Sequence, residues 1–200
     1  MFFQKDYILR MIEMMGELVR RICSIARETD ALAELDEISH KACGLPLAML
    51  EEGETGSLES LLDDPQRFLA AELLMIDIAV QARTKEEEEL LPLRMQALAL
   101  YSTLQEPDYM LPGADRAASI VAETLAQLPV EPLLQAAALQ ERAGQYASAE
   151  DAYFAAAELS GEMKPQLRAF YQRLRSASDR ALLSGGLSRE EIEEGLAALN

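Results

Sequence analysis

The chain has 200 residues, which is enough for one domain or for a domain with an extra arm. Half of the residues are hydrophobic, so a sizeable core is possible, and the formal net charge of −17 disfavours nucleic acid as a partner, because phosphate binding needs clustered lysine and arginine. The two cysteines form no CxxC pair, no secretory leader is visible, and no uncharged run approaches the roughly 20 residues of a membrane span. We therefore expect a cytoplasmic protein with no membrane partner.

The first predicted element is a long helix from Asp6 to Glu28, in which Gly16 is the one helix-breaking residue. Its apolar residues recur every three and then four positions, a spacing that fits a coiled-coil seam. Further apolar residues widen the stripe, which fits a helix packed inside its own chain equally well. A homodimer through this helix and intramolecular packing are thus the two alternatives. The candidate self-association residues are Ile8, Met11, Met15, Leu18, Ile22 and Ile25.

The opening residues of the chain, MFFQKDYILRMIEMMGELV, resemble the N-terminus of an uncharacterised family of bacterial proteins of unknown function. The resemblance implies that the chain is related to this family, and it indicates no activity.

The middle of the chain is acidic, with sixteen acidic and four basic side chains between residues 30 and 90. Such a surface could favour a basic partner, although more often it simply keeps a protein in solution. A helix is expected over residues 30–42, an exposed loop over 51–57, and a central buried helix over 65–83, whose apolar residues cover more than one side. A capping box of Thr84 and Glu87 begins the next helix, which ends near Leu104.

Two prolines make residues 106–113, EPDYMLPG, the main irregular segment of the sequence. This segment separates an N-terminal helical region, residues 1–105, from a C-terminal region of helical hairpins, residues 113–200, within one continuous fold. In the second region a helix is expected from Asp115 to Leu128 and another from Met163 to Leu183, the latter carrying a local charge of +4. A capping box of Ser188 and Glu191 starts the last helix.

The most regular pattern lies between Glu131 and Gly161, where two short helices are joined by a turn at Gly144. Small residues allow the two helices to approach closely, and two tyrosines fill the remaining space. The residues that carry this pattern are Leu133, Ala136, Ala137, Gly144, Tyr146, Ala149, Tyr153 and Ala156. They resemble a tetratricopeptide repeat, with two departures: Gln140 replaces the usual aromatic residue, and Gly161 lies near the position of the usual proline. The alternative is a generic alanine-rich helix pair.

The resemblance implies an all-α fold of antiparallel helical hairpins, arranged as a right-handed superhelix or a bundle, behind the long first helix. It also implies that a ligand would lie on the inner face of the first helix of the hairpin. The candidate partner-binding residues on that face are Glu131, Leu134, Ala138, Glu141 and Arg142.

The sequence offers little for catalysis or metal binding. His40 is the only histidine, Cys43 follows it by one helical turn, and the other cysteine, Cys23, lies on a different predicted helix. Glu37 and His40 form a single ExxH pair, whereas a di-iron site needs two. No glycine-rich phosphate loop or nucleophile elbow occurs.

We therefore predict no cofactor, no metal and no enzymatic activity. The leading hypothesis is a protein-binding module or scaffold whose partner is a protein. The alternatives are a self-associating structural protein and, least favoured, a metal-binding or enzymatic helical protein.

Overall fold

The computed structural model describes residues 14–199, and these residues form helices joined by short turns, with no β-strand in this range. The all-α prediction is confirmed for this part of the chain. The helices belong to two compact units, one ending at Gly113 and the other beginning at Ala114. None of the described helices combines the length and the apolar character that a membrane crossing requires.

The first unit is built around one helix that is apolar on several sides. The helices of this unit are α1 (residues 14–24), α2 (Glu28–Cys43), α3 (Leu47–Glu52), α4 (Thr55–Leu61), α5 (Asp64–Gln81), α6 (Glu87–Ser102) and the start of α7 (Pro107–Thr124). Helix α5 makes its most extensive contacts with α2 and α6. Thirteen of its 18 residues are buried, which confirms the prediction of a central helix.

The start of α5 is fixed by two neighbouring aspartates with different tasks. Asp63 caps the helix, since its carboxylate accepts a hydrogen bond of 3.0 Å from the backbone N–H of Gln66. Asp64 is buried and forms an ion pair with Arg67. The second carboxylate oxygen of Asp64 accepts backbone N–H groups of Gln105 at 2.7 Å and Glu106 at 2.5 Å. One buried carboxylate thereby ties the segment before α7 to the start of α5.

The prediction of one long N-terminal helix through Glu28 is wrong in the described part of the chain. Helix α1 ends at Ser24, and α2 begins at Glu28 after a bend. The guanidinium of Arg83 donates to the carbonyl oxygens of Ile25 at 2.7 Å and Cys23 at 2.8 Å. A cation placed on the last carbonyls of a helix stabilises its end. The break therefore depends on a residue 58 positions away from Ile25, which periodicity does not reveal.

Further element boundaries differ from the sequence prediction. The capping box at the start of α6 is formed by Glu86 and Glu89, so the predicted box of Thr84 and Glu87 is wrong. The expected loop at 51–57 contains the end of α3 and the start of α4, separated by Gly53 and Glu54. The expected irregular segment at 106–113 is helical, because Pro107 occupies the first position of α7 and the preceding N–H groups are held by Asp64. The expected helix from Met163 to Leu183 is divided in two.

The second unit contains the predicted hairpin and a C-terminal group of shorter helices. After the remainder of α7 these are α8 (Val130–Arg142), α9 (Tyr146–Leu159), a 3₁₀ turn (Gly161–Met163), α10 (Lys164–Leu174), α11 (Asp179–Ser184) and α12 (Arg189–Ala198). Helices α8 and α9 pack closely, and Gly144 between them has a φ of 77°, as its role in the turn requires. The capping box of Ser188 and Glu191 is confirmed at the start of α12.

The core of the second unit is aromatic. The rings of Tyr153 and Phe170 lie 5.1 Å apart, and those of Phe170 and Tyr171 lie 5.4 Å apart, distances at which aromatic pairs attract each other. The loop after α11 contacts the start of α9. The N–H of Ala147 donates to the carbonyl oxygen of Gly185 in this loop at 2.9 Å. The core therefore fixes α9 against α10 and against the C-terminal loop.

Candidate functional site

An open groove in the second unit runs between α7 and α9, with α8 beneath it. Its volume is about 510 Å³. One wall is formed by Ala118, Val121 and Ala122 of α7 and by Leu125, which directly follows this helix. The other wall is formed by Ser148, Asp151, Phe154, Ala155 and Glu158 of α9, and Gln140 of α8 lies at the floor. We call this surface the Phe154 groove.

Two large apolar side chains of the Phe154 groove are exposed. Phe154 is 52% exposed and Leu125 is 45% exposed. The adjacent residue on α9, Tyr153, points into the core and is 7% exposed, so successive aromatic residues on this helix point in different directions. Exposed apolar surface inside a concave groove is typical of a site that a partner covers.

The floor of the groove holds a polar group whose hydrogen-bonding capacity is unused. Gln140 is 1% exposed, and its side-chain oxygen, Oε1, has no hydrogen-bond donor. Leaving a buried acceptor without a donor costs about 1–3 kcal/mol. A native protein pairs nearly all such groups with protein atoms or ordered water, so this oxygen can take one further donor.

The sequence as a whole matches a family model for a "family of unknown function", DUF6483, over residues 2–200. The chain belongs to this family. No curated protein and no solved structure matches it. One family model thus covers nearly the whole chain, and the match identifies no tetratricopeptide repeat within it.

The five candidate partner-binding residues of this DUF6483 chain all lie on α8, where the structure gives them different surroundings. Glu131, Ala138 and Arg142 are exposed, whereas Leu134 is half-buried and packs against the core of the second unit. The remaining member of the set, Glu141, is held inside the unit.

Glu141 forms an internal network with the neighbouring helices. The guanidinium of Arg173 donates two hydrogen bonds of 2.7 Å to its carboxylate, and the hydroxyl of Tyr153 donates a third at 3.2 Å. The hydrogen bond to Glu141 raises the pKa of Arg173, while burial, followed by the charge of Glu141, raises the pKa of Tyr153 to about 12. This carboxylate therefore holds α8 against α10, and three of the five predicted residues form an exposed face.

The candidate self-association residues are placed only in part. Ile8 and Met11 lie outside the described residues. Met15 and Ile22 are buried within the chain, while Leu18 and Ile25 are half-buried. Packing within one chain, the alternative left open by the sequence, accounts for Met15 and Ile22. Pairing between two copies stays a prediction.

The residues considered for metal binding do not converge. His40 is exposed and its Nδ1 lies 3.1 Å from the carbonyl oxygen of Asp36, whereas Cys43 is buried and Cys23 is exposed. Burial raises the pKa of the Cys43 thiol to about 11, so it is protonated at neutral pH. Within residues 14–199 no group of three or more histidine, cysteine, aspartate or glutamate side chains is arranged to hold a metal ion.

A carboxyl pair in the first unit makes stability depend on pH. Burial, followed by the charge of nearby Asp77, raises the pKa of Glu51 from 4.5 to about 7, and burial also raises the pKa of Asp77. The folded protein therefore binds these protons more tightly than the unfolded chain does. We expect the contribution of this pair to the free energy of unfolding to be fully present below pH 4.5 and to be lost as the pH rises through about 7.

The variant Glu51→Gln is expected to flatten this fall, because glutamine does not titrate. Urea unfolding across the same pH window measures the effect, with Glu88→Gln, an exposed glutamate of α6, as the matched control. An identical pH slope for wild type and Glu51→Gln would contradict the assignment.

The sequence missed the Phe154 groove, although two signals for it were present. Gln140 departs from the aromatic residue that is usual at its position in the repeat pattern, and Phe154 directly follows an aromatic residue of the core. Adjacent positions on a helix point about 100° apart, so Tyr153 and Phe154 cannot both enter one core. The helix that lies beside Phe154 is determined by tertiary packing. It is identified only once the position of α7 next to α9 is known.

Proposed function

We propose that this protein is a non-enzymatic protein-interaction module of the cytoplasm, and that its partner protein binds in the Phe154 groove. The observation that carries the proposal is an exposed phenylalanine in a concave groove above a buried, unpaired amide oxygen. Apolar surface together with a few directed polar groups is what recognition sites in proteins share.

The proposal includes a tetratricopeptide-like packing of the α8–α9 hairpin. It is supported by the residues that carry the repeat pattern, since Leu133, Ala136 and Ala149 are fully buried between the two helices. In such repeats, the face formed by Glu131, Ala138 and Arg142 would be the customary binding surface. The Phe154 groove lies on the α9 side of the hairpin and carries more apolar exposure, so it is the favoured surface.

The experiment that tests the proposal compares single charge substitutions on the intact chain. The variant Phe154→Glu is expected to lose a partner that wild type captures from its native extract, because it places a charge in the apolar centre of the groove. Leu183→Glu is the matched control, since Leu183 is 68% exposed on α11 and does not line the groove. Arg142→Glu tests the α8 face in the same way.

A partner that is lost with Phe154→Glu and retained with the two other variants supports the groove. A partner that is lost only with Arg142→Glu would place binding on α8 and overturn the proposal for the groove. Each variant is first checked for an unchanged melting temperature, which is expected because all three side chains are at least half exposed or lie on an exposed face.

A further inference from the structure

We infer that the occupant of the Phe154 groove is a basic amphipathic helix that donates one hydrogen bond to Gln140, an inference that rests on the proposed function. Three properties of the groove lead to this assignment: the regular spacing of its walls, the sign of its charged side chains and the unpaired oxygen at its floor.

The walls of the groove are two helical segments whose lining residues follow helical periodicity. The α7 residues of the groove recur at intervals of three and four, and those of α9 extend from Ser148 to Glu158. Ten residues of α-helix rise about 15 Å, so the groove accommodates about three turns of an incoming helix. Small residues at Ala118, Ala122 and Ala155 leave room for that helix to approach the groove closely.

The charges of the groove select a basic partner. Asp151 and Glu158 are exposed at its edge, and no lysine, arginine or histidine occurs among the described residues that line it. The whole chain carries a net charge of −17, which adds to the attraction for cations at long range.

A second copy of this chain is a poor candidate for that partner. Two basic residues of its α10 region are paired within the unit, Arg173 with Glu141 and Arg175, which follows α10, with Glu193 at 2.9 Å. The surface of a second copy carries a net negative charge, so it would be repelled by the acidic side chains of the groove.

The floor of the groove adds one directed contact. Gln140 Oε1 is buried and accepts no hydrogen bond within the chain, so a hydroxyl or amide group on the apolar side of the incoming helix would pair with it once the Gln140 side chain turns towards the groove. A helix that carries only hydrocarbon at this point would leave the oxygen without a donor.

The test is a titration of the full chain with fluorescently labelled synthetic helices of about 18 residues, a length at which helix formation is favourable. The first peptide has a leucine-rich side with one central serine and a polar side of lysine. The second replaces each lysine by glutamate, and the third replaces the serine by alanine. Binding is followed by anisotropy for wild type, Phe154→Glu, Leu183→Glu and Gln140→Leu.

The lysine peptide is expected to bind about three- to tenfold more tightly than the glutamate peptide, a preference that added salt and the double variant Asp151→Asn, Glu158→Gln both reduce. Serine is expected to bind about three- to tenfold more tightly than alanine at the centre, and Gln140→Leu abolishes this preference. Phe154→Glu removes binding, whereas Leu183→Glu leaves it unchanged.

Equal or tighter binding of the glutamate peptide would overturn the basic partner. A serine preference that persists in Gln140→Leu would overturn the contact with Gln140. Either result leaves Phe154-dependent capture of a native partner intact, so the failure of this inference is distinguishable from the failure of the proposed function.

Discussion

Replacing Asp64 with alanine is expected to lower the free energy of unfolding of the first unit by about 3 kcal/mol, the lower end of the range for breaking a buried ion pair, since Arg67 keeps only a 3.5 Å contact with the partly exposed Glu59. Asp64 is 4% exposed and pairs with Arg67, which is 9% exposed. The substitution also leaves the N–H groups of Gln105 and Glu106 without their acceptor. Urea denaturation followed by circular dichroism measures the loss.

The neighbouring Asp63 provides the control for this prediction. Asp63 is exposed and caps α5, so Asp63→Ala is expected to cost about 0.5–2 kcal/mol, the range found for loss of a helix cap. If Asp63→Ala destabilised the protein as much as Asp64→Ala, the buried network would have no special role and the account of the start of α7 would be incorrect.

Gly185→Ala is expected to destabilise the second unit by about 1–3 kcal/mol or more, because a side chain there overfills a packed contact. A β-carbon at Gly185 would lie 2.3 Å from a ring carbon of Tyr146 and 2.4 Å from the backbone oxygen of Gly144. The ring could rotate away, but the backbone oxygen belongs to the turn between α8 and α9. Thermal unfolding would record the loss as a lower melting temperature.

Gly161→Ala is the matched substitution, since a β-carbon at Gly161 meets no atom within 4 Å. It is expected to leave the melting temperature close to that of wild type. A lower melting temperature for Gly161→Ala than for Gly185→Ala would show that the close approach of the C-terminal loop to α9 is not the source of the effect.

The α8–α9 hairpin was predictable because its determinants are local. Gly144 adopts the left-handed conformation that the turn requires, and the apolar spacing on both sides of it has the period of a helix. The capping box of Ser188 and Glu191 was equally readable from four consecutive residues. These features depend on neighbours in the sequence, so their chemistry can be recognised without the fold.

Two of the errors occurred where distant residues decide the local structure. The end of α1 depends on Arg83, and the start of α7 depends on the carboxylate of Asp64, which lies 41 residues before Gln105. In each case a helix terminus has its unpaired backbone groups satisfied by a side chain from another element. Sequence periodicity does not record such a contact.

The candidate site was predictable only in its general location. The hairpin was identified, but the sequence directed attention to the α8 face, and one of its five residues, Glu141, is engaged by Arg173. The Phe154 groove needs the path of α7 beside α9, and the unpaired state of Gln140 is a property of the packed unit. Neither property follows from the spacing of residues along the chain.

The most direct test of the account places a photo-crosslinking amino acid at Ala122, an exposed residue of the Phe154 groove, and separately at Ser184, an exposed residue of α11 outside it. Illumination in the native extract is expected to give a discrete adduct from position 122, absent from position 184 and abolished when Phe154→Glu is added. Identical adducts from both positions, or an adduct at position 122 that survives Phe154→Glu, would contradict binding in the Phe154 groove.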